Sequence, residues 1–371
     1  MARRIRRIRF VCNNYDRFAL EEDGHIDEQI AAEYVSLGLS NPPKVDVVDV
    51  DEEPNDAEPC DLVIRFSKGQ VLVHHEDQIF RFVWKSQTDL IIAIIKLLED
   101  RMNADGDILG NGVRAILLVE DSVRYYSTYL PVLYGLIFRQ NQIAIRDALN
   151  EQQQLLRKRA RPKVLMATCL DEAEALYDRY RDNIIGVISD IGFVAHAGDD
   201  PSTEISDAGI RLTQRIRQQN PTMPIVLQSS QASMEEEAQR LKVGFILKQN
   251  KNLTRELAHY IESEFCFGDF IVRNRHGEIT HRASDLEQFE SLLRTISDTD
   301  FIRLSSNNYM SKWLFARGMF EIGRQVQAHR TTPDNVAEGR ATLVAMIHDY
   351  RIRQALGVVA LYDPETYNDT I

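Results

Sequence analysis

The chain has 371 residues, of which 44% are hydrophobic and 27% charged, a composition typical of globular proteins with two or three domains. Its formal net charge of -12 argues against nucleic-acid binding across the whole molecule. A basic block between Arg3 and Arg9 is more typical of a solvated lead-in to the first strand than of a nucleic-acid arm. No apolar run reaches the roughly 18 residues of a membrane span, and no signal peptide is expected, so the sequence predicts a cytoplasmic protein with no membrane partner.

The cysteines are far apart in the sequence and form no CxxC pair, so neither a disulfide framework nor a zinc site is expected. They are predicted to be small core residues in a reducing compartment. The four are Cys12, Cys60, Cys169 and Cys266.

Residues 1–110 are predicted to form a first α/β unit that contains five short strands and two helices. The strands are expected at residues 5–12, 45–50, 62–66, 70–74 and 79–84, and the helices at 27–37 and 89–101. Glycine and acidic residues make the segment 105–112 the best linker candidate in the chain.

Residues 113–265 alternate strand and helix five times, which predicts a doubly wound five-stranded parallel sheet. The strands are expected at residues 114–119, 163–168, 184–189, 224–228 and 244–247. The connection from Arg124 to Arg159 is unusually long, with only Pro131 and Gly135 to interrupt a helix. Its polar latter half, 141–161, could project and pair with a second copy as a homodimer, or could form a bent helix packed on the neighbouring unit.

Residues 266–371 are predicted to form a mostly helical third unit. A small hairpin is expected around the turn at 274–277, and Ser284 with Glu287 has the spacing of a capping box. Two further amphipathic helical stretches are expected, at 308–327 and 335–356.

Polar side chains close the central strands of the second unit. Glu120 and Asp121 follow the first strand, and Asp190, Ser229 and Lys248 follow the third, fourth and fifth. Because ligands bind at the carboxyl ends of the strands in open α/β sheets, these residues are expected to converge on one crevice. Such a set could place a phosphoryl group on Asp190.

These motifs resemble those of a response-regulator receiver domain from two-component signalling. The resemblance covers about 150 residues and rests on LLVEDS at 117–122, VISDIGF at 187–193, PIVLQSS at 224–230 and GFILKQN at 244–250. It implies a flavodoxin-like receiver fold at 113–265. The runner-up is another α/β fold in which the strand-end Asp serves as a helix cap.

The chemistry of the strand-end residues agrees with this resemblance. Three carboxylates, from Glu120, Asp121 and Asp190, suit Mg²⁺, which prefers oxygen ligands. Asp190 would then be the covalent phosphoacceptor, and Lys248 would place a positive charge beside a phosphoryl oxygen and beside Asp190 itself. Ser229 would donate a hydrogen bond to another phosphoryl oxygen.

The resemblance implies two further roles. The backbone carbonyl of Gly192 would be a metal ligand, and Phe245 would change rotamer together with Ser229 as a conformational switch. Each residue also has a simpler interpretation: Ser229 as a helix cap, Phe245 as part of the core, and Lys248 as a solvated lysine.

The sequence departs from the receiver pattern in three places. Gln249 replaces the usual proline after the lysine, and Ser230 stands where the family often has alanine. The stretch after Asp190 is enlarged and acidic, with Asp199, Asp200, Glu204 and Asp207. Negative charge there should disfavour a second anion unless the loop points away.

The first unit resembles a degenerate receiver. Its first strand ends in Val11-Cys12-Asn13-Asn14 without an acidic pair, and its central strand at 61–66 has no terminal Asp. Trp84 and Lys85 stand near the position of the family lysine. The resemblance implies packing or partner binding there, without phosphorylation.

A further resemblance spans nearly the whole chain. The matching segments are YDRFALEEDGHIDEQI at 15–30, LVEDSVRYYSTYLPVLY at 118–134, FGDFIVRN at 267–274 and WLFARGMFEIGRQ at 313–325. They look like the amino-terminal regulatory region ahead of phosphoenolpyruvate synthase or pyruvate-phosphate-dikinase-type modules. No phosphohistidine motif or G-x-x-x-x-G-K-[ST] loop is present, so the resemblance implies a regulatory piece, either truncated or acting in trans.

The leading hypothesis is a Mg²⁺-dependent response regulator phosphorylated by a histidine kinase or phosphotransfer protein. No enzymatic activity is expected beyond self-phosphorylation from a phosphodonor and autodephosphorylation. The alternative is a phosphate-independent adaptor that regulates a phosphoenolpyruvate synthase-like or kinase partner. DNA binding is a weak third hypothesis, because Lys312, Arg317 and Arg324 are more simply explained as a solvated helix face.

Overall fold

The computed structural model describes residues 3–13, 25–39, 41–49, 60–67, 69–75, 78–84, 88–146, 157, 160–274 and 276–355. Asn14, Lys85 and residues 15–24, to which parts of the predictions above refer, lie outside these ranges. Among the described residues, no helix is both long and apolar enough to cross a membrane. All four cysteines are free thiols, and Cys12, Cys169 and Cys266 are buried.

The first sheet contains five strands in the order β2-β1-β3-β4-β5. Their bounds are β1 Arg7–Cys12, β2 Lys44–Asp49, β3 Leu62–Ser67, β4 Gln70–His75 and β5 Gln78–Val83. Strand β1 pairs in parallel with β2 and β3, as in a doubly wound unit, whereas β3, β4 and β5 form an antiparallel meander. The first sheet therefore has the strand order of a flavodoxin-like sheet, but hairpins replace the last two β-α-β crossovers.

Two helices accompany this sheet, α1 at Ile26–Ser36 and α2 at Thr88–Ala104. Every residue of α2 from Leu90 to Asp100 is buried, and the apolar ones belong to a core that also includes residues of the second sheet. A helix that is apolar almost all round belongs in the interior of a protein. Helix α2 therefore joins the two sheets through one shared core.

The segment predicted as a linker is helical, so that prediction was wrong. Residues Asp105–Gly110 form a π-helical turn that continues α2. Ile108 is fully buried, and the Asp105 carboxylate accepts hydrogen bonds from Arg179 and the Tyr180 hydroxyl. These tertiary contacts stabilise a segment whose local composition favours a turn.

The second sheet is entirely parallel, with the order β7-β6-β8-β9-β10. Its strands are β6 Ala115–Val119, β7 Lys163–Ala167, β8 Ile184–Asp190, β9 Ile225–Ser229 and β10 Gly244–Leu247. Its helices are α3 Val123–Arg146, α4 Leu170–Tyr180, α5 Ala208–Gln219, α6 Glu235–Arg240 and α7 Leu253–Glu264. Helices α3 and α7 pack on one face and α4, α5 and α6 on the other, so the five-stranded parallel prediction is confirmed and is compatible with a flavodoxin-like fold.

Helix α3 runs without a break through Pro131 and ends at Arg146. Residues 147–156, 158 and 159 lie outside the described ranges, so the choice between a projecting and a packed polar half of this connection stays open.

A buried ion cluster holds α2, α3 and β7 together. The fully buried Asp100 carboxylate accepts two hydrogen bonds from Arg161, at 2.6 and 3.0 Å. It also accepts one from the Tyr134 hydroxyl at 2.9 Å and one from the Val164 amide at 3.0 Å. A buried charge that is paired and hydrogen-bonded in this way fixes the position of the elements that carry it.

Within the described ranges 266–274 and 276–355, the chain forms one antiparallel hairpin and five α-helices. These elements are β11 Phe270–Arg273, β12 Ile279–Ala283, α8 Leu286–Thr295, α9 Asp298–Ser306, α10 Tyr309–Ala316, α11 Phe320–Ala328 and α12 Val336–Ala355. The cap of α8 is Asp285, which accepts a hydrogen bond from the Gln288 amide, so the predicted Ser284 capping box was shifted by one residue. The stretch predicted as one helix at 308–327 is two helices, separated at Gly318, whose φ is 70°.

The three basic residues considered for DNA binding do not form a solvated face. Arg317 is buried, stacks on Trp313 at 3.7 Å and donates to the Gly268 carbonyl. Lys312 donates to the Thr222 carbonyl at 2.7 Å. Two of the three charges therefore serve internal packing.

Candidate functional site

The acidic strand-end residues lie at one edge of the parallel sheet. Strand β6 pairs with β8, and the residues after β6 are Glu120 and Asp121, while β8 ends at Asp190. Each of the three carboxylates has an oxygen within 4.8 Å of the others. Glu120 is fully buried, whereas Asp121 and Asp190 are partly exposed at the wall of a cavity of about 320 Å³.

Lys248 joins two of these carboxylates. Its buried ammonium lies 2.7 Å from Oε2 of Glu120 and also pairs with Oδ2 of Asp190. The backbone contributes to this placement, because the Lys248 amide donates to the Ser229 carbonyl at 2.8 Å. The ammonium also lies 4.4 Å from the ring centre of Tyr125 in the first turn of α3, within cation–π range. Lys248 was predicted to contact Asp190, and the contact with Glu120 is additional.

Burial and mutual repulsion shift the acid–base equilibria of two of the carboxyl groups. Burial, followed by the charge of Asp190, raises the pKa of Glu120 to about 8 against the opposing effect of Lys248. The same two causes raise the pKa of Asp121 to about 6. Burial alone would lower the pKa of Lys248, but Glu120 and Asp190 outweigh burial and raise it. Lys248 therefore stays cationic, and the carboxyl groups of Glu120 and Asp121 retain protons more strongly than free carboxyl groups do.

Backbone groups hold the remaining oxygens of the acidic residues. Oδ1 of Asp190 accepts a hydrogen bond from the Ile191 amide at 2.7 Å, and Oε1 of Glu120 accepts one from the Ser122 amide at 3.1 Å. These contacts orient both side chains before any ligand binds.

Ser229 lines the same cavity and is nearly buried. Its hydroxyl oxygen accepts a hydrogen bond from the Gln231 amide at 3.1 Å and so stabilises the turn after β9. The N-caps of the following 3-10 turn and of α6 are Gln231 and Met234, so the simpler interpretation of Ser229 as a helix cap was wrong. The hydroxyl proton is not used by this contact and can be donated to a ligand. Phe245 is half-buried and packs against the core on the face of the sheet that α4, α5 and α6 cover. Its role as a switch stays a prediction.

Gly192 also lines the cavity, and a side chain from the acidic loop lies against it. Oε1 of Glu204 lies 1.9 Å from the position that a Cβ on residue 192 would take. Glu204 itself lines the cavity, and its charge contributes to the raised pKa of Asp121 after burial and Asp190. The loop therefore does not point away from the site.

Sequence reasoning missed Gly209 in the first turn of α5. A Cβ at this position would lie 2.0 Å from the carbonyl oxygen of Asp190, and the Gly209 amide donates to the Ile191 carbonyl at 2.9 Å. Glycine is required because the helix approaches the strand end so closely. The only sign of this role in the sequence is that a glycine is the second residue of α5.

The donor set fits a divalent cation of the Mg²⁺ type. Glu120, Asp121 and Asp190 each offer a carboxylate oxygen within a common 4.8 Å, and hard oxygen ligands are those that Mg²⁺ prefers.

Comparison with known proteins adds little to these observations. Neither protein-family models nor curated proteins match the chain. The solved structures that are similar to this chain include a response regulator receiver domain protein from Clostridium thermocellum. The two sequences are 15% identical, and the matched region covers 41% of this chain and 94% of that protein's chain, with a TM-score of 0.26. A likeness this weak supports no conclusion about activity.

Proposed function

We propose that this protein is a response regulator that accepts a phosphoryl group on Asp190 in a Mg²⁺-dependent reaction. One observation carries the proposal: Lys248 pairs with Asp190 and Glu120 at the wall of a cavity that also contains Asp121 and Ser229. A strand-end carboxylate beside a fixed cation and two other carboxylates is suited to covalent phosphoryl acceptance.

In the proposed step, a carboxylate oxygen of Asp190 attacks the phosphorus of a phosphorylated donor. A bond forms between that oxygen and phosphorus, and the bond from phosphorus to the donor breaks, with its electron pair leaving on the donor. Bound Mg²⁺ would supply positive charge that reduces repulsion between the carboxylate and the phosphoryl oxygens, with Glu120, Asp121 and Asp190 holding it.

The chain's own residues have separate tasks in this step. Lys248 orients Asp190 and can move one N–H toward a phosphoryl oxygen, because its ammonium has three donors. The Ile191 amide fixes Oδ1 of Asp190 and so limits rotation of the nucleophile. Ser229 would donate its proton to a second phosphoryl oxygen, which would draw the turn after β9 toward the site.

The donor is proposed to be a histidine kinase or a phosphotransfer protein, since a carboxylate in an open cavity can be reached by a phosphorylated side chain of a partner. The output is proposed to be a conformational change at the ends of β9 and β10, where Ser229, Lys248 and Phe245 lie.

The test is the intact mass of the full chain after incubation with Mg²⁺ and acetyl phosphate. We expect one added phosphoryl group on the wild type, its loss on chelation of Mg²⁺, and no adduct on Asp190→Asn. Asp178→Asn, which removes a carboxylate from an exposed pair with Arg215, is the matched control and should behave as the wild type. An adduct that survives Asp190→Asn would overturn the assignment of the acceptor.

One observation favours a second candidate function, a phosphate-independent adaptor. Glu204 adds a negative charge to the cavity that a phosphoryl group would have to enter. This alternative predicts that Mg²⁺ with a phosphodonor leaves the melting temperature unchanged, whereas the response regulator should be stabilised by the ligands that it binds.

A further inference from the structure

The loop after β8 is fixed so that one of its four acidic side chains faces the site. The Leu170 and Asp171 amides donate to the Val194 and Ala195 carbonyls at 3.0 and 3.1 Å, which holds the start of the loop on α4. The Ile205 amide donates to the Phe193 carbonyl at 3.0 Å in an isolated antiparallel bridge. This bridge brings the return of the loop back beside Gly192.

The other three acidic side chains of the loop are used elsewhere. Asp199 accepts a hydrogen bond from the His196 amide at 3.0 Å, and Asp200 accepts one from the Ser202 amide at 2.8 Å. Asp207 pairs with Arg211 at 2.9 Å. None of the three lines the cavity. The negative charge that the insertion brings to the site is therefore that of Glu204.

The Glu204 carboxylate has no hydrogen-bond or ion-pair partner in the part of the chain that the structure describes. It stands in the cavity wall with Asp121, Asp190 and Lys248, against the backbone of Gly192. With it, three carboxyl groups and one ammonium line the cavity, and the buried Glu120 carboxyl pairs with that ammonium from behind the wall. A fourth carboxylate should attract a divalent cation more strongly and repel an incoming dianionic phosphoryl group.

We propose that Glu204 sets the specificity of this site by charge: it strengthens binding of a divalent cation and slows phosphoryl transfer from dianionic donors to Asp190. The claim about phosphoryl transfer rests on the proposed function, whereas the claim about cation binding can be tested without it. Glu204 contacts neither the nucleophile nor Lys248, and it acts through space on whatever anion reaches Asp190.

The experiment compares the full-length wild type with Glu204→Gln, which keeps the size of the side chain and removes its charge. The matched control is Asp207→Asn, which removes a charge from the same loop outside the cavity wall. Mg²⁺ affinity is measured by titration calorimetry, and phosphorylation by acetyl phosphate is followed by intact mass at 0.05 and 0.5 M salt. Melting temperatures check that each variant is folded.

For Glu204→Gln we expect phosphorylation about tenfold faster and Mg²⁺ binding about five- to tenfold weaker at low salt, from one unit charge acting across a partly solvated cavity. Both effects should shrink at 0.5 M salt, because screening weakens interactions between exposed charges. Asp207→Asn should leave both quantities within about twofold of the wild type.

An unchanged or lower phosphorylation rate in Glu204→Gln, or an effect that salt does not alter, would overturn the inference. If neither the wild type nor the variant accepts a phosphoryl group, the proposed function fails. The Mg²⁺ titration then tests the claim about cation binding by itself. Weaker binding in Glu204→Gln would then retain the cation half of the inference, and equal binding would refute it entirely.

Discussion

Replacing Gly209 by alanine tests how closely the fold constrains Asp190. The added Cβ would lie 2.0 Å from the Asp190 carbonyl oxygen and 3.0 Å from both the Asp190 carbonyl carbon and the Ile191 Cα. All three neighbours are backbone atoms, so no side-chain rotation can relieve the contact. The first turn of α5 and the end of β8 must instead move apart.

The expected cost follows from that distance. Ordinary contacts of a Cβ begin near 3.4 Å, so the two elements must separate by about 1.4 Å or the chain must bend locally. Forcing atoms into a packed region costs about 1–3 kcal/mol, whereas replacing a glycine inside a helix by alanine ordinarily gains up to about 1 kcal/mol. Subtracting the helix gain leaves an expected net loss of up to about 2 kcal/mol, opposite in sign to the helix effect. A displacement of about 1 Å at a reacting group can cost about a hundredfold in rate, so phosphorylation of Asp190 should fall by a similar factor.

Urea denaturation and the acetyl phosphate reaction measure the two consequences. Gly135→Ala is the control, because a Cβ on Gly135 in α3 would meet nothing within 4 Å. That variant should be as stable as the wild type or up to about 1 kcal/mol more stable, with an unchanged rate. If Gly209→Ala were as stable and as reactive as Gly135→Ala, the inferred close approach of α5 to the strand end would be wrong.

Three further predictions concern the charged groups. Arg161→Met should lower the free energy of unfolding by about 3–5 kcal/mol, because it leaves the fully buried Asp100 carboxylate without its main partner. The control Arg215→Met, which removes an ion pair at the surface, should lower it by at most about 1 kcal/mol. Urea denaturation of both variants measures the two losses. The pKa values of Glu120 (about 8) and Asp121 (about 6) lie above those of the same groups in an unfolded chain. Without metal, these groups therefore make their full contribution to folding stability below about pH 4, and that contribution is lost as the pH rises toward 8. Conversely, Mg²⁺ should bind more tightly at pH 8 than at pH 6, and its binding should release protons near pH 7. Titration calorimetry in two buffers of different ionisation enthalpy measures the number of protons released. Binding without proton release would contradict this reasoning.

The parallel sheet was predictable because its strands are short and apolar and, except for the edge strand β10, mostly buried on both faces. The predicted bounds differ from the observed ones by at most one residue at either end, as at β8 and β9. The convergence of the strand-end residues follows from topology, since parallel strands that are neighbours in the sheet bring their carboxyl ends to one edge. Three carboxylates, a serine and a lysine could therefore be placed together from the sequence.

Features that depend on contacts between distant segments could not be placed. The turn signals at 105–112 gave no indication that Ile108 enters the core, and Arg317 could not be told from a solvated arginine without Trp313 beside it. The position of Glu204 depends on one backbone bridge between Phe193 and Ile205, which no local pattern predicts. The antiparallel meander of the first unit likewise depends on which strands pair, and alternation alone does not decide that.

The most direct test of the central claim is to locate the phosphoryl group chemically. An aspartyl phosphate is reduced by borohydride to homoserine, so peptide mapping after Mg²⁺, acetyl phosphate and borohydride should find homoserine at position 190 and unmodified Glu120 and Asp121. Homoserine at position 121, or unmodified aspartate at position 190 in a chain that has gained phosphoryl mass, would contradict the assignment of Asp190 as the acceptor.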